Sequence, residues 1–309
     1  MKKNIILILL IFTIALFARF KTGDSKHTES NRAQFFAQGK KNNKRNTLYA
    51  YNFMMTEYKP EEQQEILKRS DYSGVVLVVN SEDDLPALDD HINAPLVRQG
   101  SFQILAVLSS IEITVDSIKP GLAFLGKLFS RLKKTETIFW PIITKATTDK
   151  RVSEALSQIA TLAANYGVQV VLYPHDKTYM ETASHALKLI KMTGRKDITL
   201  SFHLCHELRA GNGPNIGIAI QDVAPYIALA SINGADNEMQ ADSIEGWDDA
   251  IKPLYSGSYD TQKFLDELIK FGYEGPIVLH TWGIKEKPFE TYLLRSSRLY
   301  SQMLNKSLK

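Results

Sequence analysis

The chain has 309 residues, 44% hydrophobic and 10% aromatic, which is enough to fill one barrel-sized domain or two ordinary ones and excludes a disordered class. Its single cysteine leaves no intrachain disulfide and no zinc-finger spacing. The net charge of +3 hides an asymmetry, because residues 1–46 hold ten Lys and Arg against two Asp and Glu; the remainder is acidic by about five charges, with no nucleic-acid-binding surface.

The opening "MKKNIILILLIFTIALFA" sets two lysines before a short apolar run, the n-region and h-region of an export signal. Residues 1–18 therefore read as a signal peptide or an N-terminal anchor, and the chain as exported, periplasmic or secreted. Residues 19–46 are polar, basic and aperiodic, a flexible linker. Membrane contact is expected only through this N-terminal segment, if it stays uncleaved.

From residue 47 to residue 309, short apolar runs alternate with amphipathic stretches. The expected strands cover 47–54, 74–80, 102–113, 138–144, 168–175, 198–206, 227–236 and 276–282. Each is nearly continuous in apolar residues, as in parallel strands covered on both faces. Between them lie patterns such as "PEEQQEILKRS", "PGLAFLGKLFSRLKK", "RVSEALSQIATLAANYG" and "DTQKFLDELIKFG", apolar at three and four spacing. Eight strands, each followed by a helix or loop, predict an α/β fold of the (β/α)8 TIM-barrel type. No glycine follows the first strand, which removes the mark of a doubly wound nucleotide-binding sheet.

In such a barrel the functional residues gather at the C-terminal strand ends. The first end offers Tyr51, and the fourth offers Lys145 with Trp140 further back. The fifth offers Tyr173 and His175; the sixth offers His203, His206 and Glu207. Asn233 and Asp236 follow at the seventh, His280 and Trp282 at the eighth. Four of the seven histidines thus sit at strand ends, while His27, His91 and His185 read as linker or helix surface. The four are read either as metal-ligating and catalytic groups or as hydrogen-bonding residues of a sugar pocket. Cys205 reads as a small buried apolar residue. Glu207 is a general base or a helix-terminal charge; Asp236 contacts substrate or caps a turn. Tyr51 and Asn233 line the pocket, Tyr173, Trp140 and Trp282 stack on a sugar ring or pack the barrel, and Lys145 holds an anionic group or is solvated. No Walker A, H-E-x-x-H or G-x-S-x-G motif occurs.

The runs "GVQVVLYPH", "ITLSFHLCHEL", "APYIALASINGAD" and "IKPLYSGSYDTQKFLDELIKFGYEGPIVLHTW" resemble the sugar phosphate isomerase/epimerase family with its xylose isomerase-like TIM barrel. The likeness is specific over 165–285 and topological over 47–164. It implies a divalent metal held by Glu, Asp, His and Glu, and carboxylates that move a proton beside a sugar carbonyl. Those four positions fall here on Tyr173, His203, Asn233 and His280, so all three acidic ligands are replaced. His206 matches the second histidine of the sixth-strand motif, and His175 a histidine after the first Glu. The resemblance thus implies a site in which His203 and His280 hold a metal (Zn or Mn), with His175, His206 and Glu207 catalytic. It implies an isomerase or epimerase acting on a small-molecule carbohydrate, a free sugar, keto-sugar or glycoside. A keto-glycoside lyase and a non-catalytic carbohydrate-binding barrel remain the alternatives.

Overall fold

The structure is a computed structural model that describes residues 45–238 and 247–309. The expected signal segment, and all of the expected linker except Arg45 and Asn46, lie outside the described residues. One compact unit spans Asn43–Lys309. Among the described residues no helix is long and apolar enough to cross a membrane.

The elements alternate along the chain. First come β1 (Leu48–Tyr51), α1 (Pro60–Arg69), β2 (Gly74–Val78), α2 (Leu85–Asn93), α3 (Pro95–Arg98) and β3 (Gln103–Ile113). A short β4 (Ile118–Lys119) is followed by α4 (Leu122–Leu132), β5 (Ile138–Ala146), α5 (Asp149–Ala164), β6 (Val170–Leu172) and α6 (Ala183–Thr193). The last part holds β7 (Ile198–His203), α7 (Leu204–Arg209), α8 (Ile216–Val223), β8 (Ile227–Ile232), α9 (Trp247–Ala250), α10 (Thr261–Lys270), β9 (Ile277–Leu279) and α11 (Phe289–Ser307).

Every neighbouring pair in the ring β1, β2, β3, β5, β6, β7, β8, β9 is parallel, and β9 returns to β1, so eight strands close a TIM barrel. Among the described strands β4 alone is antiparallel, folded back on the end of β3. Closure demands a tight approach at β2, where a Cβ on Gly74 would stand 2.1 Å from the Gln103 carbonyl oxygen. Helix starts are fixed by side chains: Thr148, Thr182 and Asp260 accept the backbone N–H of Arg151, His185 and Lys263.

Strand alternation sorts residues between two cores. Leu200 and Phe202 of β7 join the layer between sheet and helices, while Ser201 and His203 take the opposite face, into the bore. Two expectations need correction. The apolar run 198–206 is not all strand, because β7 stops at His203 and α7 begins at Leu204, so Cys205, His206 and Glu207 are helical. His91 is not on the helix surface either; it is buried on the inner side of α2.

Candidate functional site

The bore is filled by a column of rings. Tyr51 stacks on Trp140 at 5.7 Å, Trp140 on Tyr173 at 4.8 Å, and Tyr173 on His203 at 3.8 Å, with interplanar angles of 10°, 22° and 17°. Phe53 extends it beyond Tyr51 at 4.9 Å. Hydrogen bonds lock the column: Trp140 Nε1 donates to Ser201 Oγ at 2.7 Å, and Ser201 donates onward to the Leu172 carbonyl at 2.9 Å. Ser201 has then spent its one proton, so His203 Nε2–H donates to Ser201 Oγ at 2.7 Å, and His203 Nδ1 accepts from Ser231 Oγ at 2.9 Å. β7–β8 register sets Ser231 directly opposite His203.

In this network both ring nitrogens of His203, expected as a metal ligand, are bonded within the protein. The network also corrects three substrate-binding expectations. Tyr51, Trp140 and Tyr173 are buried in the column, with the Tyr51 hydroxyl donating to that of Tyr173 at 3.2 Å, and they cannot stack on a sugar. Asn233 is buried too; its Nδ2 donates to the Gly234 and Ala250 carbonyls and closes the loop after β8.

Above the column lies a cluster of imidazoles. His206, brought inward by the turn into α7, sets Nε2 3.2 Å from the Tyr173 hydroxyl, and its ring lies 4.1 Å from that of His175. His280 comes from the end of β9 and tilts against Tyr51 at 4.8 Å. His175, partly exposed, donates Nδ1–H to the Asp176 carbonyl at 2.7 Å, which leaves the Nε2 lone pair free, with no partner among the described residues. Trp247 stands at 5.6 Å from His175 and 6.0 Å from Trp282, which is 45% exposed at the rim.

Burial controls the protonation of this cluster. It lowers the pKa of His175, of His203 and of His206, and neighbouring imidazoles push the last two further down. His280 is lowered to about 3, by burial first and by His175 second. The nearby carboxylates do not offset this. Glu207 is buried with both oxygens engaged, one by the Ala183 N–H at 2.7 Å at the start of α6, the other by Asn212 Nδ2 at 2.6 Å. The residue expected to be catalytic thus ties α7 to α6. Asp176 is held by Arg209 Nε at 2.5 Å in an ion pair buried on both sides.

The remaining expected residues lie at the rim. Asp236 pairs with Lys252 at 2.5 Å and accepts from the Ser258 N–H, holding the loop after β8. Lys145 is exposed and pairs with Glu112 at 3.0 Å. The structure thus gathers His175, His206, His280 and Trp282, while Lys145, Glu207 and Asp236 are engaged in pairs of their own. Sequence reasoning missed Ser201, Ser231, Asp176 and Arg209. Arg209 follows His206 by three residues, a helical spacing hidden by reading that stretch as strand. Its guanidinium covers the Trp247 ring at 4.4 Å.

The four positions that the resemblance assigns to a hard cation do not suit one. Tyr173 and His203 are spent on internal hydrogen bonds, Asn233 gives its Nδ2 to its loop and offers only a buried, unpartnered Oδ1, and no carboxylate stands among the four. Another set of donors lies close by: Cys205, His206 and His280 each offer a ligand atom within 4.8 Å of the others.

Two measurements check this account. Ser201→Ala strands two buried N–H groups and should cost about 2–4 kcal/mol in urea unfolding; a loss below about 0.5 kcal/mol would refute the locked column. Histidines with lowered folded pKa values bind protons more readily when unfolded, so stability is complete above pH 6.5 and falls as pH drops below it. In chelator-treated protein each such histidine should remove about 1.4 kcal/mol per pH unit, down to about 4 for His91 and about 3 for His280. A melting temperature that stays flat from pH 7 to 5 would contradict it.

Residues 127–300 match the family model described as xylose isomerase-like TIM barrel. An uncharacterised protein of Methanocaldococcus jannaschii is 22% identical over 156 residues, and the chain spans about half the length of this curated relative, 49% of it against 50% of the present chain. Solved structures share the fold. L-ribulose 3-epimerase gives a TM-score of 0.66 at 14% identity, covering 85% of this chain and 95% of that one. The 3-keto-D-glucoside 4-epimerase of E. coli gives 0.62 at 14% identity over 83% and 99%. The IOLI protein, solved with a zinc atom, gives 0.61 at 12% identity over 85% and 96%. The closed ring of eight parallel strands and the matched segment agree, and the chain belongs to the xylose isomerase-like TIM barrel family.

Proposed function

We propose that the protein is a carbohydrate-active barrel of the isomerase or epimerase type, acting on a keto-sugar or keto-glycoside by proton transfer beside the carbonyl. The observation that carries this is the tautomer of His175. Its Nδ1–H is fixed on the Asp176 carbonyl, so a neutral imidazole presents Nε2 as a base at the cluster's exposed edge. Trp247 and the rim residue Trp282 supply apolar faces of the kind that pack on a sugar ring. One fold neighbour is by name a 3-keto-D-glucoside 4-epimerase, which works at a carbon next to a ketone.

In the proposed step His175 Nε2 takes the proton from the carbon beside the carbonyl. The C–H electron pair becomes the new carbon–carbon double bond, and the carbonyl oxygen becomes an enolate. Return of a proton from solvent to the opposite face, as the enolate oxygen re-forms the carbonyl, inverts that carbon, and His175 gives its proton back to solvent. If the enolate instead expels an oxygen substituent one carbon further along, that oxygen leaves with the proton from His175 Nε2, which is the lyase outcome. A binding barrel without chemistry is favoured by one observation, that Glu207 and Asp176 are both committed to structural bonds.

The test is solvent exchange. The full chain is incubated in D2O with free ketoses and with 3-keto-glucosides, and the carbon-bound proton is followed by NMR. Exchange or product should appear with at least one of them, and His175→Gln should slow it about 10²–10⁴-fold while leaving the melting temperature in place. Binding without exchange for every sugar tried would favour the binding barrel.

We also propose that the chain is exported through its N-terminal segment, the support being the lysine pair followed by the apolar run. Expressed whole in a bacterium, it should be recovered outside the cytoplasm. Full recovery in the cytosol with Met1 intact would refute this.

A further inference from the structure

We propose that Cys205, His206 and His280 form a binding site for a soft or borderline metal ion, zinc foremost, displaced from the ligand positions of the family. The inference is independent of the proton-transfer reading, since it concerns which atoms bind an ion and not what is done to a sugar.

The placement follows from the early end of β7. Because the strand stops at His203, the first turn of α7 carries Cys205 and His206 over the mouth of the bore, where His280 arrives from β9. All three are buried, with donor atoms within 4.8 Å of one another.

The donors suit zinc in kind and nearly in distance. Bonds of about 2.3 Å to sulfur and about 2.0–2.1 Å to nitrogen set tetrahedral ligand atoms about 3.3–3.7 Å apart, so the three, within 4.8 Å of one another, need to close by up to about 1.5 Å through side-chain rotation. Loading would cost His206 its 3.2 Å bond to the Tyr173 hydroxyl or a long 3.5 Å contact from the Asp176 N–H. One sulfur and two imidazoles favour zinc over manganese, magnesium or calcium, which prefer oxygen. The adjacent carboxylates Asp176 and Glu207 are tied to Arg209, Ala183 and Asn212, so they do not compete for the ion. Loading would cost little bonding at His280, whose Nδ1 holds only a long 3.4 Å contact from the Trp282 N–H.

Cobalt reads the site directly. The full chain is stripped with chelator, loaded with Co2+ and examined by absorption and metal analysis. The expected result is one cobalt per chain, the intense visible bands of a tetrahedral site, and a sulfur-to-cobalt charge-transfer band in the near ultraviolet. Cys205→Ser should abolish the charge-transfer band, and His280→Gln should weaken zinc binding by more than the about 10–100-fold typical of losing an outer-shell partner. Cys205→Ala keeps a small apolar side chain, and its melting temperature separates lost metal from lost fold. Less than about 0.2 metal per folded chain with excess zinc or cobalt overturns the site. So does stoichiometric cobalt whose spectrum is unchanged in Cys205→Ser. Neither result bears on sugar proton exchange by His175, which is measured without added metal.

Discussion

Everything at the C-terminal face of this barrel rests on how its bore is filled. A parallel eight-stranded ring leaves an interior that side chains must occupy, and indole and imidazole groups can be buried there only if their nitrogens find partners. One serine meets that demand. Ser201 Oγ accepts from Trp140 and from His203 and passes its own proton to the Leu172 carbonyl, while Ser231 closes the circuit on the far nitrogen of His203. With those bonds made, Tyr51, Trp140, Tyr173 and His203 stack as one column.

The column explains why the site differs from the one the family's pattern implies. Rings occupy the positions where carboxylates would face a cation, and their polar atoms are satisfied by each other. The polar chemistry is lifted one layer toward the mouth, onto His175, His206 and His280. There it is largely buried, imidazole-rich and poor in free carboxylate, so the cluster stays neutral where solvated histidines begin to charge. A neutral imidazole is a base, a hydrogen-bond partner or a metal ligand. Hydrogen bonds already present then divide those roles, leaving a free lone pair on His175 and none on His203.

Much of the fold was legible because its signals are local. Apolar runs of strand length separated by amphipathic segments give the order of elements. The run around His203 was misread for a physical reason. "SFHLCHEL" is apolar enough to continue a buried strand, and nothing local forces a turn after His203. The turn is held by Glu207, whose partners at Ala183 and Asn212 include one 24 residues away.

What the sequence by itself determined was the barrel, its strand order, and the gathering of His175, His203, His206 and His280 at one end, since each follows from period and spacing along the chain. Which of those histidines is spent and which is free was decided only in the folded protein. Ser201 and Ser231 lie on strands that become neighbours only when the sheet forms, and Asp176 and Arg209 meet across 33 residues. A ring nitrogen's role depends on the atom opposite it, and that atom is supplied by closure of the barrel.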